Sequence, residues 1–145
     1  MRRSRIGLVV LLVSFFGAGC GTCGARFSTA ELENTYWKLV RLGDQPVIVS
    51  SGRGEPHLRL ISEGRKAQGF AGCNRLLGAY ELEGQTLRFA YLATTRMACP
   101  DGMEPEQAFL RALESTARWN ILGEHLELYD SGGTLLARFE AKTMK

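Results

Sequence analysis

The sequence predicts a β-rich α+β domain: a small antiparallel sheet curled into a barrel-like shape, with one late α-helix packed on it. Three observations carry that expectation. From Thr35 onward, short aliphatic and aromatic runs alternate with polar residues and end at glycine-containing turns, as in many short antiparallel strands. One stretch only, near residues 104–118, switches to helical spacing. The chain has 145 residues, 45% hydrophobic and 23% charged, which suits one globular domain and leaves no room for a second.

The elements follow in order. Tyr36 to Leu42 is aromatic and aliphatic with interleaved charge, and Gly43-Asp44 ends it as a turn. Val47 to Val49 reads as a short second strand, and Ser50 to Pro56 as a loop. His57 to Ile61 alternates with period two, as does the stretch from Ala67 to Ala71. A hairpin is the best local signal: Tyr80 and Leu82 share one face, Gly84-Gln85 turns, and Leu87, Phe89 and Tyr91 alternate on the return. Glu81, Glu83, Thr86 and Arg88 then face water. Pro105 suits a first helical turn, Glu104 and Glu106 complement the helix dipole, and Phe109, Ala112, Leu113 and Thr116 form an apolar stripe. Glu114 stands four residues before Arg118 for an exposed ion pair. The chain closes with strands at 119–122, 126–128 and 135–139, and residues 141–145 read as a tail. Trp37, Phe70, Tyr80, Phe89, Tyr91 and Phe109 are expected to fill the core of so small a barrel; the alternative is that they line an apolar ligand cavity.

The N-terminus reads as an address. Arg2, Arg3 and Arg5 precede an uncharged run from Ile6 to Phe16, and small residues follow. That pattern is a secretory signal peptide over residues 1–19, and the run is shorter than the roughly 20 residues that span a bilayer. Gly17-Ala-Gly-Cys20 resembles the lipobox of bacterial lipoproteins, with Gly17 where Leu is usual. The resemblance implies acylation of Cys20, a lipid-anchored tether over residues 20–33, and attachment to the membrane through N-terminal acyl chains. Gly21, in place of Asp, implies the outer membrane where the host has one. Ordinary cleavage near Ala25 is the competing expectation, and it would discard Cys20 and Cys23.

Charge and cysteines narrow the function. The formal charge of +3 comes entirely from the three N-terminal arginines, so the exported chain carries equal numbers of acidic and basic residues. Nucleic acid is therefore not an expected partner. Cys20-Gly-Thr-Cys23 has redox spacing but lacks the βαβ context that lowers a thiol pKa. Cys73 and Cys99 lie inside the folded part, where export permits a disulfide; closing such a loop stabilises by about 3–4 kcal/mol. Two separate buried thiols are the alternative. His57 and His125 show no metal-ligand spacing, so neither metal nor cofactor is expected.

Gly69-Phe-Ala-Gly-Cys-Asn-Arg-Leu-Leu-Gly-Ala-Tyr80, followed by Leu92-Ala-Thr-Thr-Arg-Met-Ala-Cys99, resembles the META domain of the HslJ-like heat-inducible bacterial lipoproteins. Trp37-Lys-Leu39, the helix residues Glu106, Phe109 and Leu113, and the final hairpin extend the resemblance over residues 34–140. It implies a compact β-rich fold with one helix, no established enzymatic activity, and an association with envelope stress or tolerance of hydrophobic antibiotics.

Asn74, Arg75, Thr95 and Arg96 are the candidate contact site. A Cys73–Cys99 bond brings them together, so that an arginine could pair with an anionic group while Asn74 fixes its orientation. In the structural alternative, Asn74 satisfies turn backbone and Arg96 braces the loop. No G-x-S-x-G elbow and no phosphate-cradling glycine loop occur. The expectation is thus a monomeric, non-enzymatic envelope lipoprotein that acts through contact with an envelope protein; the alternative is a carrier for a small apolar ligand.

Overall fold

A computed structural model describes residues 29–49, 53–99 and 103–143. The signal segment, the acylation candidate Cys20 and its neighbour Cys23 lie outside the described residues. In chain order the elements are β1 (Tyr36–Leu42), β2 (Gln45–Pro46), β3 (His57–Ile61), β4 (Lys66–Phe70), β5 (Arg75–Glu83), β6 (Thr86–Thr94), α1 (Met103–Glu114), β7 (Arg118–Leu122), β8 (His125–Tyr129) and β9 (Leu135–Lys142). All strand pairs are antiparallel. The sheet runs β2-β1-β3-β4-β5-β6-β7-β8-β9, and β1 also pairs with β9, so the ring of hydrogen bonds closes. Closure removes free edges, which is how a small sheet protects itself from pairing with other chains. The fold is the barrel-like α+β architecture expected from the sequence.

The weak point of the ring is the β6–β7 seam, which holds a single register pair, Thr86 with Arg118. Helix α1 packs against β6, β9 and β1. Its apolar stripe explains why it docks there. Phe109 and Leu113 are fully buried, and Phe109 meets Phe139 of β9 at a ring distance of 5.9 Å. Thr116 lies just beyond the helix rather than in it, and its hydroxyl donates to the Ala112 carbonyl at 2.8 Å. Inside the barrel, Trp37, Tyr80, Phe109 and Phe139 pack with leucines from β1, β3, β5, β6 and β8.

Three local expectations need correction. The short second strand is Gln45–Pro46, not 47–49: Gly43 adopts a positive φ of 56°, the chain reverses over two residues, and pairing resumes at once. Tyr91 is not a core residue but 90% exposed. Between the pairs Leu77–Ala93 and Ala79–Ala90, two residues of β6 oppose Gly78 alone, a β-bulge that flips the alternation. A side chain at Gly78 would meet the Leu92 side chain at 2.8 Å, so the glycine is what lets Leu92 turn inward. Phe70 sits on the outside of the barrel, half-buried, with His57 stacked between it and Tyr36.

The folded unit also begins before Asn34. Residues 29–33, read above as the end of a tether, form a strap across one end of the barrel. Leu32 is buried, the Trp37 indole N–H donates to its carbonyl at 2.9 Å, and the Ala30 amide donates to Gly123 at 3.0 Å. Glu33 locks the strap: it accepts the Tyr80 hydroxyl and pairs with Arg65 at 2.9 Å, while the Arg65 guanidinium lies 5.7 Å over the Tyr80 ring. At the other limit, β9 continues to Lys142, so the first two residues of the expected tail belong to the barrel.

Burial and the adjacent Glu33 carboxylate push the Tyr80 hydroxyl up to about 12, with Arg65 opposing. The native state therefore holds this proton more tightly than the unfolded chain. The associated stability is full below the ordinary value of about 10 and is lost as pH rises through about 12. Tyr80→Phe should delete that late step from an alkaline ultraviolet titration and cost about 1–3 kcal/mol in urea unfolding, because the strap loses a hydrogen bond to a charged group.

Candidate functional site

The two motif segments meet at the end of the barrel opposite the strap. Gly72, in a positive-φ conformation of 101°, turns the chain between β4 and β5 and presents Cys73 and Asn74 inward. The segment after β6 runs alongside, tied by the Thr95 amide to the Arg75 carbonyl at 3.1 Å. A Cys73–Cys99 disulfide joins the two, with the Cα atoms 6.1 Å apart.

Asn74 lies between them and is 2% exposed. Its side-chain oxygen accepts from the Met97 amide at 2.7 Å and from the Thr95 hydroxyl at 2.8 Å. Its side-chain nitrogen donates to Glu106 Oε1 at 3.0 Å, and its backbone amide to Glu106 Oε2 at 2.8 Å. Its carbonyl accepts from the Ala71 amide at 2.8 Å. The Thr95 hydroxyl in turn accepts from the Arg75 amide at 3.1 Å. One buried side chain thus holds the β4–β5 turn, the segment after β6 and the first turns of α1.

Glu106 has a role that sequence reasoning missed. It stands in the first turn of α1, as expected of a dipole complement, but it is also 4% exposed and bonds to Asn74. A signal was present: Glu106, Phe109 and Leu113 fall on one helical stripe, so whatever buries the phenylalanine buries the glutamate.

Of the four candidate contact residues, the structure brings all four together but gives them different roles. Asn74 is buried and the Thr95 hydroxyl is engaged within the clamp. Arg75 projects from the outer face of β5, and Arg96 is exposed in the segment that follows β6. Neither guanidinium has an ion-pair partner among the described residues. The bracing expected of Arg96 is supplied instead by Asn74 and Glu106.

Two other polar groupings lie elsewhere. On β8 and β9, burial would raise the Glu127 carboxyl, but the Tyr129 hydroxyl and the Arg138 guanidinium outweigh it and hold the group below its ordinary value. On the outer wall, Lys38 pairs with Glu55 at 2.7 Å beside the Tyr36–His57 stack. Neither grouping adjoins a nucleophile. No cluster of three or more His, Cys, Asp or Glu side chains suits a metal ion among the described residues.

Clefts flank both barrel ends. One, of about 510 Å³, lies under the strap between Leu32, Leu82, Trp119 and Ile121. The other, of about 330 Å³, lies at the clamp end between Leu39, Val47, Ile48, Ala71, Pro105 and Ala108.

A family model described as the META domain matches residues 30–143. The chain belongs to the META domain family. That match includes most of the strap, in agreement with its packing. The Gly-Cys-Asn-Arg and Thr-Thr-Arg-Met-Ala-Cys motifs are the two halves of the clamp in this META domain. An NMR structure of a protein from Burkholderia xenovorans is 34% identical, covers 78% of this chain and 85% of its own, and superposes with a TM-score of 0.63. Another NMR structure shares the fold at 22% identity, over 75% of this chain and 91% of its own, with a TM-score of 0.59. So does the crystal structure of a DUF4847 family protein from Bacteroides vulgatus, at 12% identity, over 79% of this chain and 96% of its own, with a TM-score of 0.55. No curated protein matches the chain.

The clamp makes a quantitative prediction. Asn74→Ala strands a buried carboxylate and the Met97 amide, and should cost about 3 kcal/mol in urea unfolding of the oxidised protein. Combined with Glu106→Gln, the double-mutant cycle should show a coupling of about 1–3 kcal/mol. A ligand-binding asparagine would leave the stability of the unliganded domain nearly unchanged and the coupling near zero.

Proposed function

We propose that this META domain is the folded part of an exported, membrane-tethered envelope lipoprotein that works by protein contact and performs no catalysis. The observation that carries the reading is the internal use of the motif residues. Asn74, Glu106 and Thr95 bond to one another, and Cys73 is held in a disulfide, so the clamp organises a surface rather than a reaction. The surface it organises is the free end of the barrel. The strap enters at the end where the β5–β6 hairpin turns; the clamp lies at the start of β5, about 25 Å away along a nine-residue strand. With the chain anchored through Cys20, the clamp end is the end of the barrel farther from the anchor. It carries Arg96, with Ile48 85% and Met97 62% exposed, a cation beside large apolar side chains of the kind that anchor protein interfaces. The resemblance to HslJ-like lipoproteins supports reading such contacts as part of envelope stress or drug tolerance.

The clamp-end cleft favours a second reading, the carrier. Its lining is mainly aliphatic and its volume of about 330 Å³ is at the lower bound for small-molecule sites. An uncharged apolar ligand would sit there and not inside the barrel, which Trp37, Tyr80, Phe109 and Phe139 fill.

The intact mass of the protein purified from the envelope, with and without reduction and thiol alkylation, tests the anchor. The expected species starts at Cys20, carries acyl groups and has two thiols released only by reduction; a bare chain starting near Arg26 contradicts the tether. Arg96→Glu should then abolish cross-linking to the envelope partner at an unchanged melting temperature. A melting loss equal to the binding loss would return Arg96 to a structural role.

A further inference from the structure

The outer face of β3 to β6 has a composition that neither the clamp nor the core explains. Cross-strand register sets its rows. Arg59, Gln68, Leu77 and Ala93 stand opposite one another, as do Ile61, Lys66, Ala79 and Ala90, and Phe70 stands opposite Arg75. No aspartate or glutamate falls in these rows; the acids of the face, Glu81 opposite Arg88 and Glu83 opposite Thr86, stand in the rows nearer the β5–β6 turn, so the part next to the clamp is cationic although acidic and basic residues are equal in number beyond the N-terminal arginines. Lys66 and Arg75 are exposed and Arg59 is half-buried; none of the three has an ion-pair partner among the described residues. Between them the surface is flat, with alanines at 79, 90 and 93. From it project Leu77, 57% exposed, and Tyr91, 90% exposed on the bulge at a positive φ of 54°. A bulky residue rarely holds that conformation without a structural reason. Here the bulge turns an aromatic outward from a cationic face.

We propose that this face lies on the surface of an anionic bilayer, with Arg75, Lys66 and Arg59 on lipid phosphates and Tyr91 and Leu77 in the headgroup layer. The proposal rests on the reading of the chain as a tethered lipoprotein. Two features select a lipid surface over an acidic protein. A protein interface seats its anchors in pockets, and the clefts at the strap and clamp ends do not include the residues of this face. A bilayer needs no pocket: tyrosine and aliphatic side chains enter the headgroup region while basic residues stay at the phosphates. Reach is the second feature. Eight residues lie between Cys20 and Thr29, so an acylated chain holds the strap within about 30 Å of the headgroups, close enough for the flank of the barrel to rest on them. Lying on this side also leaves the clamp end at the rim, free for a protein.

The test takes the full chain purified from membranes into vesicles of phosphatidylcholine, alone or mixed with phosphatidylglycerol, and reads hydroxyl-radical oxidation of single side chains by mass spectrometry. In the anionic vesicles Tyr91 should oxidise severalfold more slowly than in the neutral ones, with Ile48 and Leu122 unchanged, and molar sodium chloride should restore its reactivity. Lys66→Gln with Arg75→Gln should weaken the docking about thirtyfold, because each cation at such a surface contributes roughly fivefold, and should leave the melting temperature unchanged. Equal oxidation of Tyr91 in both kinds of vesicle, in protein that still floats with them, overturns the docking and leaves the tether standing. Flotation with anionic vesicles alone contradicts the tether and supports the docking; flotation with neither overturns both. Protection of Tyr91 by polyglutamate but not by anionic vesicles overturns the proposal in favour of an acidic protein.

Discussion

A buried side-chain amide must find partners for both its oxygen and its nitrogen, and Asn74, in the β4–β5 turn, finds them on two other segments. That requirement fixes the clamp end of the barrel. The amide cannot be satisfied unless the β4–β5 turn, the stretch before Cys99 and the first turns of α1 are all in place. Glu106 depends on the same contact, since its carboxylate is buried and takes its donors from Asn74. The helix, which packs against β6, β9 and β1, is thereby positioned at one end by a polar clamp and along its length by Phe109 and Leu113. The disulfide adds chain restraint between Cys73 and Cys99, but it joins only two of the three segments.

Much of the fold was legible because most strands obey simple periodicity. Tyr80 and Leu82 were expected to share a face with Phe89 and Leu87, and they stand opposite them in the sheet. The signal failed where a local backbone event intervenes. Tyr91 continues the period-two pattern in the sequence, yet the bulge opposite Gly78 reverses its direction, and only an isolated glycine inside a strand hints at that. The second strand was displaced by two residues because the turn at Gly43 is tighter than the valines downstream suggest. The second role of Glu106 was missed for a different reason. Its place at the helix start accounted for its charge, and the partner that buries it, Asn74, is distant in sequence.

The candidate site was legible as a place but not as a role. Cysteine spacing and the paired motifs led to the right corner of the molecule. They did not show that Asn74 is buried and holds the Thr95 hydroxyl while Arg75 and Arg96 stay exposed, because that division depends on the positive φ of Gly72 and on contacts between segments distant in sequence. The barrel is therefore polarised in three ways: a strap locked by Glu33 at one end, a clamp at the other, and a cationic flank between them. This division explains how a domain of neutral composition can still present a charged surface.

The central claim is that the motif pair is a structural clamp as stable as the barrel itself. Amide hydrogen exchange followed by NMR on the oxidised protein tests it most directly, at the Asn74 side-chain NH2 and the Met97 backbone N–H. A clamp integral to the fold predicts that these protons exchange only with global unfolding, alongside the amides of β5 and β8. Exchange well ahead of the strand amides, in a barrel that stays protected, would show a mobile loop and contradict the account.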